Sequence, residues 1–561
     1  MAHLDGARTK TQATEPEPPP GMLAPLGHAA FRWIWVASLF SNLGWLIQGV
    51  GAAWIMTQLT TKADLVAMVQ TAQMGPTLLL ALAAGAIADM YDRRKVALAA
   101  IAFNLTGAVV LAALSFADLV TPAVLLTGVA LIGAGGAVMG PAWQASVREQ
   151  VPQPLLPAAI TLNSISFNIA RSFGPALGGV IVAAAGGAAA FAINAIFYAP
   201  MLWALGRWKR APEPARLPPE GLGRAIVSGV RYVFHSPQMR VVLLRTLMLA
   251  MAGASVSALM PLIARDVLGG GAATFGLLLG AFGLGAVTGA LNIARLHRRF
   301  APEILVRAST LVVAFGTAVV AFSTSLPLSL AALFLAGAGW MLSINELNIA
   351  IQTSAPRWVA GRALATFQAS VAGGVALGAW AWGTVAQTYD VPTALKGSAL
   401  ALALLPLAGI WLRLGDRGEG SAESQPPPDP EVALKLTPRS GPIRIELEYS
   451  VAPERAREFY GLLLRLGDIR SRTGAYGWAV ARDVARPERW VESYACPTWM
   501  DYLRQRTRLT QAERELTARV QAFQDPDRPV KVHRWLERPF GSVRWKEETP
   551  DVDPITPAQL P

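Results

Sequence analysis

GAIADMYDRRK, Gly85 to Lys95, closes an apolar run with a cluster of bases, and GALNIARLHRR, Gly289 to Arg299, repeats that arrangement later in the chain. Outward from these two stretches the sequence divides into twelve long apolar runs, near 32–58, 65–87, 95–117, 121–143, 158–185, 188–206, 241–264, 272–294, 304–325, 327–351, 361–386 and 393–414. About 20 apolar residues in a helix cross the roughly 30 Å hydrocarbon core of a bilayer, so each run predicts one crossing. The two basic stretches follow the second and eighth runs, equivalent places if a six-run unit occurs twice. A second matching pair, Val151–Gly179 and Ala355–Gly378, surrounds the fifth and eleventh runs. The long basic connection from Arg207 to Arg240 divides six runs from six.

Composition agrees with a membrane body. Of 561 residues, 53% are apolar and 15% charged, against about 25% charged in soluble domains. The formal charge is +12, and residues 415–561 hold 23 Lys+Arg and 23 Asp+Glu, so the whole excess lies in the apolar part. There it falls in alternate connections: Arg8, Lys10 and Arg32 before the first run, Arg93 to Lys95 after the second, Arg148 after the fourth, Arg207 to Arg240, and Arg295 to Arg299. The intervening connections are nearly bare, with Lys62, Arg265 and Lys396 offset by Asp64, Asp266 and Asp390. The positive-inside rule then predicts cytoplasmic N- and C-termini in the cytoplasmic (inner) membrane, and no nucleic-acid partner is needed to explain the charge. Residues 1–30 lack the apolar segment of a cleavable signal and carry EPEPPP (Glu15–Pro20), which predicts a disordered tail. One cysteine, Cys496, excludes an intramolecular disulfide and a thiolate metal cluster. No P-loop is present, so ATP is not the expected energy source.

Gly85, Asp89, Arg93, Arg94 and Lys95 match the loop signature of the major facilitator superfamily, which the chain resembles, while Met90 and Asp92 depart from it. The resemblance implies two six-helix bundles in which Asp89 and the basic cluster form a conformational switch at the cytoplasmic side. A positive-inside anchor with a capping Asp is the alternative. GPALGG, Gly174 to Gly179, looks like the family's antiporter motif and makes Gly174, Pro175, Gly178 and Gly179 candidates for coupling, or for close packing against small residues such as Gly285 and Gly289. Pro175 is expected to kink the fifth helix. SNLGWLIQGVGAAW (Ser41–Trp54), GPAWQASVREQVP (Gly140–Pro152) and LNSISFNIARSFGPALGG (Leu162–Gly179) extend the likeness to the subfamily of enterobactin-type exporters and transmembrane secretion effectors. That implies a proton-coupled exporter of a small amphipathic metabolite, siderophore-like or drug-like. An importer shares the fold.

Ionisable side chains in hydrocarbon cost about 2.5–3.5 kcal/mol on insertion scales and mark function by default. Glu346 is the sole acid deep in a run and has two readings, proton acceptor or structural acid paired with a buried base. Asn345, Asn348 and Gln352 form a polar stripe beside it, and Asn345 and Asn348 are expected to line the substrate cavity. Arg171, midway along the fifth run, cannot shed its proton; its anion is either Glu346 or an acidic group of the substrate. Arg245 is expected to snorkel to the interface. Asn42, Trp45 and Gln48 are expected to face the cavity as substrate contacts.

A polar, Pro-rich linker, 415–441, leads to an appendage at 442–538 and a tail at 539–561. PIRIELEYSV, an amphipathic helix from Pro453 to Arg472, GAYGWAVARDV, RWVESYAC, a helix from Trp499 to Phe523 and VKVHRWL give a βαββαβ order, a ferredoxin-like pattern. It resembles the small dimeric α/β barrels of antibiotic-biosynthesis monooxygenases, which implies self-association or regulation and leaves a tethered oxygenase as an alternative. Trp478, Tyr494 and Trp499 are expected mostly as core. Neither a cofactor nor a metal is implied. The expected organisation is thus tail 1–30, bundle 31–206, cytoplasmic loop 207–240, bundle 241–414, linker, appendage and tail. The expected partners are a small-molecule substrate, the lipid bilayer and a proton gradient.

Overall fold

The computed structural model describes residues 21–209, 231–356, 359–414, 430–525 and 528–537. The expectations for tails 1–20 and 538–561, the linker core 415–429 and the central connection over 210–230 lie outside the described residues. The helices of the body are α1 (Ala29–Leu59), α2 (Ala63–Met90), α3 (Arg93–Phe116), α4 (Pro122–Ser146), the continuous stretch Leu156–Arg207, α7 (Pro237–Leu262), α8 (Ala272–His297), α9 (Pro302–Phe322), α10 (Leu326–Ser354), α11 (Ala360–Thr388) and α12 (Val391–Trp411).

Among the described residues ten helices are long and apolar enough to cross a membrane, and one of these covers 50 residues, Ala158–Arg207. Straight, it would be about 75 Å long at 1.5 Å per residue, more than twice the hydrocarbon core. It breaks at Gly186, whose φ of 79° is open to glycine and strained for other residues. Packing shows that the chain reverses there. Before the break, Gly174 and Gly178 meet Leu46 and Val50 of α1 in ascending order; after it, Gly187, Ala190 and Asn194 meet Ile55, Gly51 and Gly44 in descending order. The two arms are therefore antiparallel crossings, α5 before Gly186 and α6 after it. With α2, which runs between the same two ends, the chain makes twelve passes, as its runs predict, and is a multi-pass membrane protein.

α1–α6 form one bundle and α7–α12 the other. They meet along two seams, α2 against α11 and α5 against α8. Exchanging the halves maps α2 onto α8 and α5 onto α11, so each seam becomes the other, and the internal repeat seen in the sequence is a symmetry of the interface. The end bearing the connections after α2 and α8 is termed the basic end, and its opposite the bare end.

The appendage is a four-stranded antiparallel sheet in the order β2-β3-β1-β4, with β1 (Ile443–Ser450), β2 (Tyr476–Arg482), β3 (Arg489–Cys496) and β4 (Lys531–Leu536). α13 (Ala456–Arg472) follows β1. The single helix expected from Trp499 to Phe523 is two, α14 (Trp499–Thr507) and α15 (Gln511–Gln521), because Thr510 opens a capping box with Glu513. One core joins Ile443, Ile445, Leu447 and Tyr449 of β1 to Phe459, Leu463 and Leu466 of α13.

Candidate functional site

The space between the halves is sealed at the bare end. On the α2–α11 seam, Gln387 Oε1 accepts from the Ala63 amide at 2.6 Å and Thr71 Oγ1 donates to the Ala376 carbonyl at 2.8 Å. Across the other side, Arg265 donates to the Thr57 carbonyl at 2.5 Å and the Trp54 and Phe275 rings stack at 6.0 Å. Gly179 and Gly276 bring α5 and α8 into backbone contact: a Cβ on Gly179 would lie 2.1 Å from the Gly276 Cα. Toward the basic end the seam parts. The stripe of α8 that is in backbone contact with α5 at Gly276 is looser at Gly280, where a Cβ would lie 3.4 Å from that of Ala176, and continues through partly exposed Val287 to exposed Ala294. The result is a slot closed at one end and open at the other.

The antiporter-like motif thus lies on this seal. Gly174 and Gly178 fit against Leu46 and Val50 of α1, and Gly179 against Gly276. The small residues expected to complement it, Gly285 and Gly289, serve another contact, with the Phe334 and Ala338 carbonyls of α10. Pro175 lies within α5, and the non-helical backbone of Leu156–Arg207 is at Gly186 instead.

Of the expected cavity residues on α1, Asn42 and Trp45 are partly exposed, whereas Gln48 is buried inside the first bundle and accepts from Asn194 of α6. Six residues of helix turn the chain by about 600°, so Gln48 points about a third of a turn away from Asn42. Asn104, Asn194 and Tyr198 extend this buried polar group and were not singled out from sequence. On α10, Asn348 accepts from Gln352 on the exposed stripe with Asn345, while Glu346 is turned toward α8 and is buried there against His297. Arg171 is therefore not the partner of Glu346. Partly buried midway along α5, it has no ion pair or side-chain hydrogen bond among the described residues. Arg245 does not snorkel: it is buried and donates to Glu303 at 2.5 Å and to the Leu412 carbonyl at 3.2 Å. Glu303 also accepts from Arg307 and the Leu414 amide, and so ties the basic ends of α7, α9 and α12 together.

At the basic end the loop motif divides its tasks. Asp92 caps α3, accepting from the Arg94 and Lys95 amides. Arg93 pairs with Glu149 beyond α4 at 2.9 Å, and Arg94 donates to the Leu205 and Gly206 carbonyls that end α6. Lys95 is exposed, Gly85 lies within α2, and the Asp89 side chain is outside the described part of the structure. His297 holds in the second half the place of Arg93 in the first, an imidazole for a guanidinium, but its acid, Glu346, lies inside α10 whereas Glu149 lies beyond the end of α4.

The appendage contacts the body beside α7. Arg231 reaches the Gly474 carbonyl at 3.4 Å, and the Arg472 guanidinium stands 5.2 Å from the Tyr232 ring while pairing with Glu513. Inside it, fully buried Glu492 accepts from Arg470 at 3.2 Å, Trp478 at 3.1 Å and the Tyr449 hydroxyl at 3.1 Å. Periodicity contained this pair: Arg470 falls on the apolar stripe of Phe459, Leu463 and Leu466, and Glu492 on the inward parity of Trp490 and Tyr494. Tyr494 and Trp499 are buried in the same core, and burial pushes the Cys496 thiol up to about 12. His533 stacks on Trp535 at the edge strand, and among the described residues no group of His, Cys and acids is spaced to hold a metal.

The sequence matches the family described as transmembrane secretion effectors over residues 20–540. It is 26% identical over 391 residues to the multidrug efflux pump Tap of Mycolicibacterium fortuitum, covering 67% of this chain and 94% of the pump. It is 28% identical over 425 residues to the enterobactin exporter EntS of Citrobacter koseri, covering 72% of this chain and 96% of the exporter. Among solved structures, a POT family transporter in complex with 5-aminolevulinic acid superposes with a TM-score of 0.55 at 12% identity, covering 70% of this chain and 97% of that one. The nucleoside transporter NupG gives 0.53 at 12% identity, covering 68% and 98%. Those two likenesses carry the fold of the helical body alone.

Proposed function

The chain belongs to the transmembrane secretion effector family, and from that membership we propose that it is a proton-driven exporter of a small amphipathic metabolite. The observation that carries the reading is the slot, open toward the basic end and sealed at the bare end by contacts that rigid-body rocking can part. Loading occurs from the open side. The seal is made of van der Waals contact and a few hydrogen bonds, with no ion pair across it among the described residues, so its rupture on rocking is inexpensive.

Two features support the finer parts. Alternating basic connections favour the basic end, and with it both termini and the appendage, on the cytoplasmic side. His297–Glu346 joins a carboxylate to the side chain that titrates nearest neutrality, which suits a proton acceptor coupled to motion of α8 against α10. The relatives that export enterobactin or drugs favour outward movement of a metabolite or drug. The appendage is read as a ferredoxin-like domain that regulates or pairs two copies, held on the segment ahead of α7 by Tyr232 and Arg472.

Everted membrane vesicles energised with a pH gradient test the scheme. Uptake of a fluorescent amphipathic drug or of a catecholate siderophore is expected in vesicles containing the protein, collapsing with a protonophore and in Glu346→Gln. Uptake that survives both treatments rejects proton coupling, and absence of uptake over a broad panel rejects export.

A further inference from the structure

We infer that Arg171 recognises an acidic group on the transported molecule, so that the cargo class is an amphipathic organic anion; this rests on the reading of the slot as the transport path. The guanidinium cannot neutralise itself, and an ion held inside a membrane protein ordinarily keeps a standing partner. The sequence offered one acid for that role, Glu346, and it is engaged with His297 of α8. No carboxylate or carbonyl among the described residues takes the donors of Arg171 instead.

Local geometry strengthens the assignment. Gly174 meets Leu46, so three residues earlier Arg171 stands level with Leu43, between Asn42 and Trp45 on α1. Both of those side chains are partly exposed. Pro175 has no amide hydrogen, and the carbonyl it leaves without a helical donor is that of Arg171 itself. One residue thus presents a planar cationic fork and an uncommitted acceptor at the same height, suited to bidentate capture of a carboxylate or phenolate that carries a neighbouring hydroxyl. The adjacent indole of Trp45 supplies an aromatic face for the apolar body of the ligand. Position completes the case: Arg171 stands eight residues, about 12 Å of helix, before Gly179 on the basic-end side of the seal, and its side chain is partly exposed.

The test uses the purified full-length chain in lipid nanodiscs without any gradient, so coupling and direction do not enter. Pyrenebutyric acid and its methyl ester, identical but for the charge, are titrated at pH 7.5 while tryptophan emission is followed. The acid is expected to bind at least tenfold more tightly than the ester, with the preference shrinking as salt is raised. Arg171→Gln is expected to bring the two within twofold of each other, and Arg171→Lys to retain a preference of intermediate size. Equal affinities in the unaltered protein, a preference that persists in Arg171→Gln, or failure of both probes to bind would each overturn the assignment. The acid-to-ester ratio of the unaltered protein needs no variant to fold. Loss of proton-driven uptake with the anion preference intact would reject export while leaving this site standing.

Discussion

Gly179→Ala puts a methyl group where the structure has no room for one. Its Cβ would sit 2.1 Å from the Gly276 Cα and 3.0 Å from the Gly276 amide nitrogen. Ordinary contact begins near 3.4 Å, so the two helices must part by roughly 1.3 Å, and since the opposing atoms are backbone, no rotamer change can relieve the clash. Overpacking of this kind costs about 1–3 kcal/mol. The cost falls only on the conformation sealed at the bare end, so at about 2 kcal/mol it shifts the balance between the two slot conformations roughly thirtyfold. Spin labels at Leu59→Cys and Leu328→Cys, exposed near the bare ends of α1 and α10, report the separation of the halves by double electron–electron resonance. Cys496 need not be removed, because burial keeps it unreactive. The expected result is a new population at longer distance in Gly179→Ala. A smaller one is expected in Gly276→Ala, whose Cβ would meet the Gly179 Cα at 2.8 Å, and none in Gly136→Ala, where nothing lies within 4 Å. Distances unchanged by Gly179→Ala, in a variant that still elutes as a single species, would show that the seal is not where the halves separate.

Glu303→Ala strands the buried Arg245 and should cost about 3–5 kcal/mol, read as a fall in the thermal midpoint in detergent; an unchanged midpoint would mean that Arg245 reaches water. In the appendage, Arg470→Met leaves Glu492 buried and uncompensated, whereas Arg470→Met with Glu492→Leu should recover most of the loss, as measured by limited proteolysis of the full chain. If the double variant is cleaved as fast as the single one, the network contributes more than charge compensation. The Cys496 thiol, raised from 9.0 to about 12, should resist maleimide at pH 7–8 until the domain unfolds. Because its folded pKa is the higher one, that contribution to stability is complete below about pH 9 and is lost as pH rises toward 12. Rapid labelling of folded protein would contradict the burial.

Crossing number was legible because a bilayer leaves little choice: a helix must supply about 20 apolar residues, and each run does so. The reversal between α5 and α6 was visible as two runs meeting near Gly186, although the backbone there remains almost continuously helical. The pairing of side chains was less legible. A membrane helix is apolar on every side, so the stripe that tells a soluble helix which way to face is absent. Gln48 was accordingly read toward the cavity when it faces Asn194, and whether Glu346 pairs with Arg171 stayed open until the structure set it against His297. In the appendage the stripe exists, and there Arg470 and Glu492 announce their burial by position alone.

By itself, then, the sequence determined the twelve crossings, the twofold repeat, the charge asymmetry between the two ends and the strand order of events in the appendage. Each of these is a demand of solvent on the chain, and solvent acts residue by residue. Only the tertiary structure decided that Gly179 meets Gly276, that Glu346 belongs to His297, and that Arg171 stands without an acid among the described residues. Those are relations between helices distant in sequence. In hydrocarbon they are chosen by shape and by the few polar groups left to satisfy, which no single run can specify.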